Sequence, residues 1–293
     1  MFESRQGHTK EAGTPASFNK SQERFYMSKL QILLTNDDSI LSPGLWAAAE
    51  ALQALGFVTV AAPRDQSSAM GRSMPPTSDG LIKKEIVEVG GKDWLVYAVG
   101  GTPAQAVQHG VYEIMEERPS LVVSGINYGE NVASGITVSG TVGAALEGAS
   151  YGIPSMAISL QTDYRLHFSH SKEVDFSTAA YFAAYFGEKL LTKKLPFDVD
   201  VLKVDVPEKA TPDTPWVITN VSRQRYYEPR PPKRDSWDKP GTFGYTQNLI
   251  TEPPEANSDV QVVREKGLVS VCPISLDLSS RVDRSEFEEF LRS

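Results

Sequence analysis

The chain has 293 residues, with 29 Lys and Arg against 37 Asp and Glu and a formal net charge of −8. Hydrophobic residues make up 40% and charged residues 23%, a globular balance with enough chain for a sizeable core. The acidic balance excludes a general nucleic-acid binder, which carries a basic face, but not a small phosphorylated ligand held locally by a cation and main-chain amides.

Residues 1–28 are polar and lack the apolar stretch of a secretory signal, so they read as a disordered N-terminal extension. No apolar run is long enough to span a bilayer, and the cytoplasm is the expected location. Leu30 to Leu34 is an apolar strand-like run that ends in Thr35-Asn36-Asp37-Asp38-Ser39. Ser42, Pro43 and Gly44 open a helical pattern to Leu55, Gly56 closes it, and Phe57 to Ala62 reads as a second buried strand. This strand–helix–strand unit is the mark of a parallel sheet with right-handed crossovers.

The alternation continues with a strand over Trp94 to Val99, a helix over Pro103 to Glu117 capped by Thr102, and a strand over Leu121 to Ser124. A Gly- and Asn-rich loop leads to a small-residue helix over Gly140 to Ser150. A strand over Ser155 to Leu160, an amphipathic helix over Phe176 to Leu191 and a strand over Val199 to Val204 follow. Residues 29–210 are therefore expected to form a doubly wound, Rossmann-like α/β domain with a mostly parallel sheet. Residues 211–258 are rich in proline, arginine and aromatic residues without a helical period, and read as an extended, β-rich arm. Residues 259–293 return to strand character up to Pro273 and end in a short helix over Arg284 to Leu291. Cys272, the single cysteine, reads as a small hydrophobe; it excludes an intramolecular disulfide and a thiolate cluster within one chain.

Ligands of parallel α/β sheets bind beyond the carboxyl ends of the strands, and three polar clusters fall there. Asn36-Asp37-Asp38 places two carboxylates side by side, which repel unless a cation relieves them; a hard divalent ion suits such oxygen ligands, while an N-capping aspartate is the plainer reading. Residues 63–72, PRDQSSAMGR, allow close approach of a ligand to the backbone or form a simple surface loop. Residues 124–131, SGINYGEN, run on to Ser139-Gly140-Thr141-Val142-Gly143-Ala144-Ala145, which offers a phosphate-sized anion site at a helix start, or merely tight helix–sheet packing. No Walker A, GxGxxG or GxSxG motif is present at the strand ends. His8, His109, His167 and His170 form no recognised metal pattern.

In order, Ile32 to Asp38, Gly101-Thr102-Pro103-Ala104, Val123 to Asn127, Ser139 to Ala145, Asp259-Val260 and Gly267 to Val271 resemble the stationary-phase survival protein E (SurE) family of metal-dependent 5′/3′-nucleotidases. The resemblance runs from about Leu30 to Pro273. It implies a Rossmann-like fold with a C-terminal arm that assembles a homodimer or homotetramer. It also implies one divalent ion, Mg2+ or Mn2+, held by Asp37, Asp38, Ser68 and Asn127. Asn36, Asn131, Ser139, Gly140 and Thr141 match the family's phosphate side, and Asp37, Asp38 and Asn127 carry the catalytic expectation. Three positions depart from the pattern: Ser39 and Ala69 stand where glycine is usual, and Ser67 where arginine or glutamine is frequent.

The expected activity is hydrolysis of nucleoside 5′- and/or 3′-monophosphates. A nucleotide-binding regulatory module, a sugar-nucleotide transferase of similar fold and an oligomeric interaction protein are the competing readings. The paired aspartates and the clustering at strand ends favour the phosphatase.

Overall fold

A computed structural model describes residues 30–247 and 253–293; the expected N-terminal extension, His8 included, lies outside them. The central sheet has nine strands in the order β3-β4-β2-β1-β5-β6-β7-β11-β8. They are β1 Gln31–Thr35, β2 Phe57–Pro63, β3 Ile82–Val89, β4 Lys92–Val99, β5 Leu121–Tyr128, β6 Ser155–Leu160, β7 Val201–Val206, β8 Trp216–Ile218 and β11 Val269–Ile274. The run from β4 to β7 is parallel; β3 and β11 pair antiparallel to β4 and β7, and β8 runs parallel to β11.

Helices cover both faces, as the apolar strands require. On one, α1 Pro43–Leu52 and α4 Ser177–Thr192 bury Trp46, Leu52, Phe182 and Phe186 with Leu34, Val123 and Ile158. On the other, α2 Pro103–His109 and α3 Gly140–Ser150 cover Leu33, Ala61, Val122 and Ala157. Each fully buried Leu or Ile contributes roughly 1.5–3 kcal/mol, so nearly all-buried strands such as β6 anchor what their ends carry. The connections diverge at β1, whose two partners are β2 and β5. That split opens a crevice at their carboxyl ends, the switch point of a doubly wound sheet.

Several elements differ from expectation. β3 is an additional edge strand, not among the expected elements, with Lys83, Lys84, Ile86 and Glu88 exposed. β5 continues through Gly125 to Tyr128, with a register shift between Ser124 and Asn127; glycine and asparagine are poor strand formers, and the irregular pairing explains their presence. The helix expected over residues 103–117 is α-helical only to His109 and continues as a π-turn to Ile114. Between Asp259 and Pro273, a π-turn at Gln261–Glu265 precedes the strand.

Within residues 211–258, β8 joins the sheet edge, and β9 Tyr227–Arg230 pairs with β10 Gly244–Gln247 as an antiparallel two-stranded ribbon. Tyr226 is buried at the ribbon's base; Trp237, beyond it, is 92% exposed. The last helix, α5 Arg284–Arg292, buries none of its residues. No helix among the described residues is long and apolar enough to cross a membrane.

Candidate active site

Asp37 and Asp38 leave the end of β1 at the crevice and are nearly enclosed, 5% and 2% exposed. Neither has an ion-pair partner among the described residues. Asp37 faces the start of α3, where the Thr141 hydroxyl donates to its Oδ1 at 2.6 Å. Burial raises the Asp37 pKa, opposed by the Thr141 hydroxyl and by main-chain amides that include those of Thr141 and Gly140. Asp38 is raised further, by burial and then by the charge of Asp37. Its Oδ1 accepts from Gln66 Nε2 at 3.0 Å and its Oδ2 from the Tyr128 amide at 3.2 Å.

The helix start explains its small residues. A Cβ on Gly140 would lie 2.8 Å from Asp37 Cβ, and one on Gly143 would lie 2.2 Å from the Gly71 carbonyl oxygen. Tight packing, one of the two readings of this motif, is thus realised at both glycines. The contacts bring the 63–72 loop onto α3, where Arg72 pairs with the buried Glu147 at 2.7 Å. Ser139 is the N-cap of α3, its Oγ accepting from Val142 N at 3.1 Å.

Ser68 sits in that loop beside Asp38, since Gln66 Nε2 reaches the Ser68 hydroxyl at 3.2 Å as well as Asp38. Asn127 donates through Nδ2 to the carbonyls of Tyr128 and Gly129 at 3.2 and 2.7 Å. Those bonds orient the amide and leave Oδ1 as its acceptor end. Asn36 braces the turn by donating to Ser39 O at 2.9 Å, and its own Oδ1 is buried without a partner among the described residues. Asn131 does not touch the aspartates; its Nδ2 donates to Ser159 Oγ at 2.9 Å, on the neighbouring strand. The structure therefore gathers Asp37 with Gly140 and Thr141, and Asp38 with Ser68 and the Asn127–Tyr128 strand end, while Asn36 and Asn131 form the surrounding support.

Sequence reasoning did not single out Gln66, which also donates to the His167 carbonyl at 2.9 Å and so ties three segments together. Nothing in an isolated glutamine signals such a hub. His170 Nε2 lies 2.6 Å from the Asp38 carbonyl oxygen. His167 is buried beside the ribbon, its Nδ1 3.0 Å from the Tyr245 hydroxyl, and burial lowers its pKa to about 4. The rings of Tyr227 and Tyr245 lie against it, Phe168 lies against Tyr245, and burial followed by the charge of Asp38 pushes the Tyr245 phenol up to about 12. His109 lies far from this chemistry in role, paired with Glu113 one turn along.

The two departures at glycine positions fall on left-handed backbone: Ser39 has φ 78° and Ala69 φ 59°. A Cβ there is unfavourable by roughly 1–2 kcal/mol. At Ser39 the side chain compensates in part, its Oγ accepting from Leu41 N at 3.3 Å.

Among the described residues no group of three or more His, Cys, Asp or Glu could hold a metal ion. Two carboxylates with a hydroxyl and an amide oxygen form a hard donor set of a different composition. The buried, mutually repelling pair without a countercharge fits a divalent cation.

Comparison with known proteins agrees with this architecture. The family model "Survival protein SurE" matches residues 32–228. A Methanosarcina mazei protein named 5′-nucleotidase SurE is 39% identical over 266 residues, covering 89% of this chain and 97% of its own length. A Thermococcus gammatolerans protein of the same name is 39% identical over 263 residues, covering 89% and 96%. The crystal structure of the SurE protein from Aquifex aeolicus superposes with a TM-score of 0.68 at 31% identity, covering 90% of this chain and all of that one. With its fold and its sequence in agreement, the chain belongs to the SurE family.

Proposed function

We propose that this protein is a metal-dependent phosphomonoesterase that hydrolyses nucleoside 5′- and/or 3′-monophosphates to nucleoside and phosphate. The observation that carries the reading is the buried Asp37–Asp38 pair, without an ion partner among the described residues, at the switch point of the sheet. The names of the relatives from M. mazei and T. gammatolerans support the nucleotidase class.

Asp37, Asp38, Ser68 and Asn127 would hold one Mg2+ or Mn2+. Bound there, the ion supplies positive charge for the phosphoryl oxygens and acidifies water. Thr141 and the amides at the start of α3 orient Asp37; Gln66 and the Tyr128 amide orient Asp38. Asp37 or Asp38 accepts the proton of the attacking water. Ser139, Gly140, Thr141, Asn36 and Asn131 line the phosphate side, where fixed dipoles stabilise developing charge. Tyr245 and Phe168 offer ring surface beside this mouth for a nucleobase.

The protein is proposed to act in the cytoplasm, without membrane or general nucleic-acid partners, as a homodimer or homotetramer. Exposed Trp237 and Phe243, flanking the end of the ribbon, are the surface offered to another copy. Replacing residues 231–243 by a short Gly-Ser linker should give a smaller particle in light scattering.

The deciding experiment is phosphate release from a panel of nucleoside monophosphates without an acceptor. Activity should vanish after chelation and return with Mg2+ or Mn2+. Full activity in a verified metal-free sample removes the metal from the reading. Turnover only with an acceptor would make the protein a transferase, and binding without turnover would make it a regulatory module.

A further inference from the structure

Lys203, Asp205 and Asp259 are completely buried, an arrangement whose desolvation is rarely repaid by mutual attraction alone. What the cluster holds is a loop at the mouth of the sheet. Lys203 Nζ spends its three hydrogens on Asp205 Oδ2, on Asp259 Oδ2 at 3.1 Å and on the carbonyl oxygen of Asn131 at 2.9 Å. Asp205 Oδ1 accepts from the Asn131 amide at 2.8 Å, so the Asn131 peptide is gripped from both sides. Asp259 Oδ2 accepts from the Ala133 amide at 3.2 Å, and its Oδ1 from the amides of Ser222 and Val260 at 3.0 and 2.9 Å.

The strand register links this cluster to the active site. Asn127 on β5 stands opposite Ser159 on β6, and Ser159 opposite Asp205 on β7. The three form one polar row across the sheet. Ser159, in the middle, holds the side chain of Asn131 while Asp205, at the end, holds its main chain.

We propose that Ser159, Lys203, Asp205 and Asp259 are positioning residues for catalysis: they lock the 129–133 loop so that Asn131 is presented to the phosphate in one orientation. The inference rests on the nucleotidase reading for its kinetic consequence, but the lock itself is a property of the loop. None of the four is a catalytic residue; each acts through Asn131 and its loop.

Ser159→Ala is the decisive variant, because it removes one hydroxyl, adds no charge and leaves β6 apolar. It should lower kcat/KM for a nucleoside monophosphate about tenfold, mostly through KM, the size expected for one side-chain hydrogen bond. In an Asn131→Ala background the same change should have no further effect, a non-additivity that a purely structural role would not produce. Hydrogen exchange, read without any substrate, should quicken about tenfold at residues 129–133 and stay unchanged in β6 and β7. Additive losses, or Ser159→Ala activity within twofold of wild type, overturn the proposal. If the wild-type protein releases no phosphate, the nucleotidase reading falls and exchange alone judges the lock; unaltered loop exchange then overturns it.

Discussion

Two pairs of buried carboxylates sit near the carboxyl end of the same sheet, and they are satisfied in opposite ways. Asp205 and Asp259 share Lys203, a cation built into β7. Burial opposes the Lys203 charge, but the two carboxylates outweigh it and hold the ammonium above its ordinary range. Among the described residues Asp37 and Asp38 have only neutral donors; burial raises both, and the charge of Asp37 raises Asp38 further. A permanent internal cation makes a fixed joint. A carboxylate pair surrounded by dipoles leaves charge to be balanced by something that can come and go, as the proposed divalent ion would.

The comparison breaks most sharply at Lys203. Lys203→Met leaves two carboxylates facing each other in the core and should destabilise the fold by about 3–5 kcal/mol. Denaturant unfolding measures it, and a loss below about 1 kcal/mol would mean that the joint is not ionic in effect. Asp38→Asn should do the reverse. Phosphate release should fall at least about a hundredfold, near 3 kcal/mol of transition-state stabilisation. Its melting temperature in chelator should stand at or above that of wild type, because a buried charge is gone. Asp37→Asn and Asn127→Ala should show the same catalytic loss in folded protein, and near-normal turnover in all three would relocate the reaction centre.

Acid should act on the mouth through His167. The unfolded chain protonates this imidazole near 6.5, the folded chain near 4. Between those values the unfolded state binds the extra proton, so stability present above pH 6.5 is lost as pH falls toward 4. The loss should reach about 2 kcal/mol at pH 5. His167→Gln should flatten that part of the stability curve, and an unchanged slope would show that another group titrates there. The smallest expected effect is a gain. Ala69 is exposed and left-handed, so Ala69→Gly relieves strain at the cost of chain entropy and should stabilise by about 0.5–1 kcal/mol. Loss of stability would mean that the Ala69 methyl makes a favourable contact.

The strands on either side of the switch point announce themselves as short apolar runs because both faces are covered, and the paired aspartates stand out because nothing local balances them. β3 does not, since Ile82–Val89 presents one face to water; nor does β8, whose three residues are too few to show a period. Gln66 acts through geometry that spans three segments distant in sequence. Lys203 and Asp205 did leave a trace: two opposite charges two residues apart inside VLKVDV share one face of a strand and call for a buried partner. That partner, Asp259, lies 54 residues beyond Asp205, where no local pattern points back to it.

The placing of β11 between β7 and β8 also sets an order of events during synthesis. Among the described residues β8 pairs with β11 alone, so residues 216–218 have no strand to join until residue 269 has emerged. At translation rates of about 5–20 residues per second that is a delay of several seconds. For most of that interval Lys203 and Asp205 are made but Asp259 is not. The nascent chain can therefore possess its paired aspartates and most of its sheet while the Asn131 loop is still unfastened, and a ribosome stalled before residue 259 should carry a folded but catalytically immature domain.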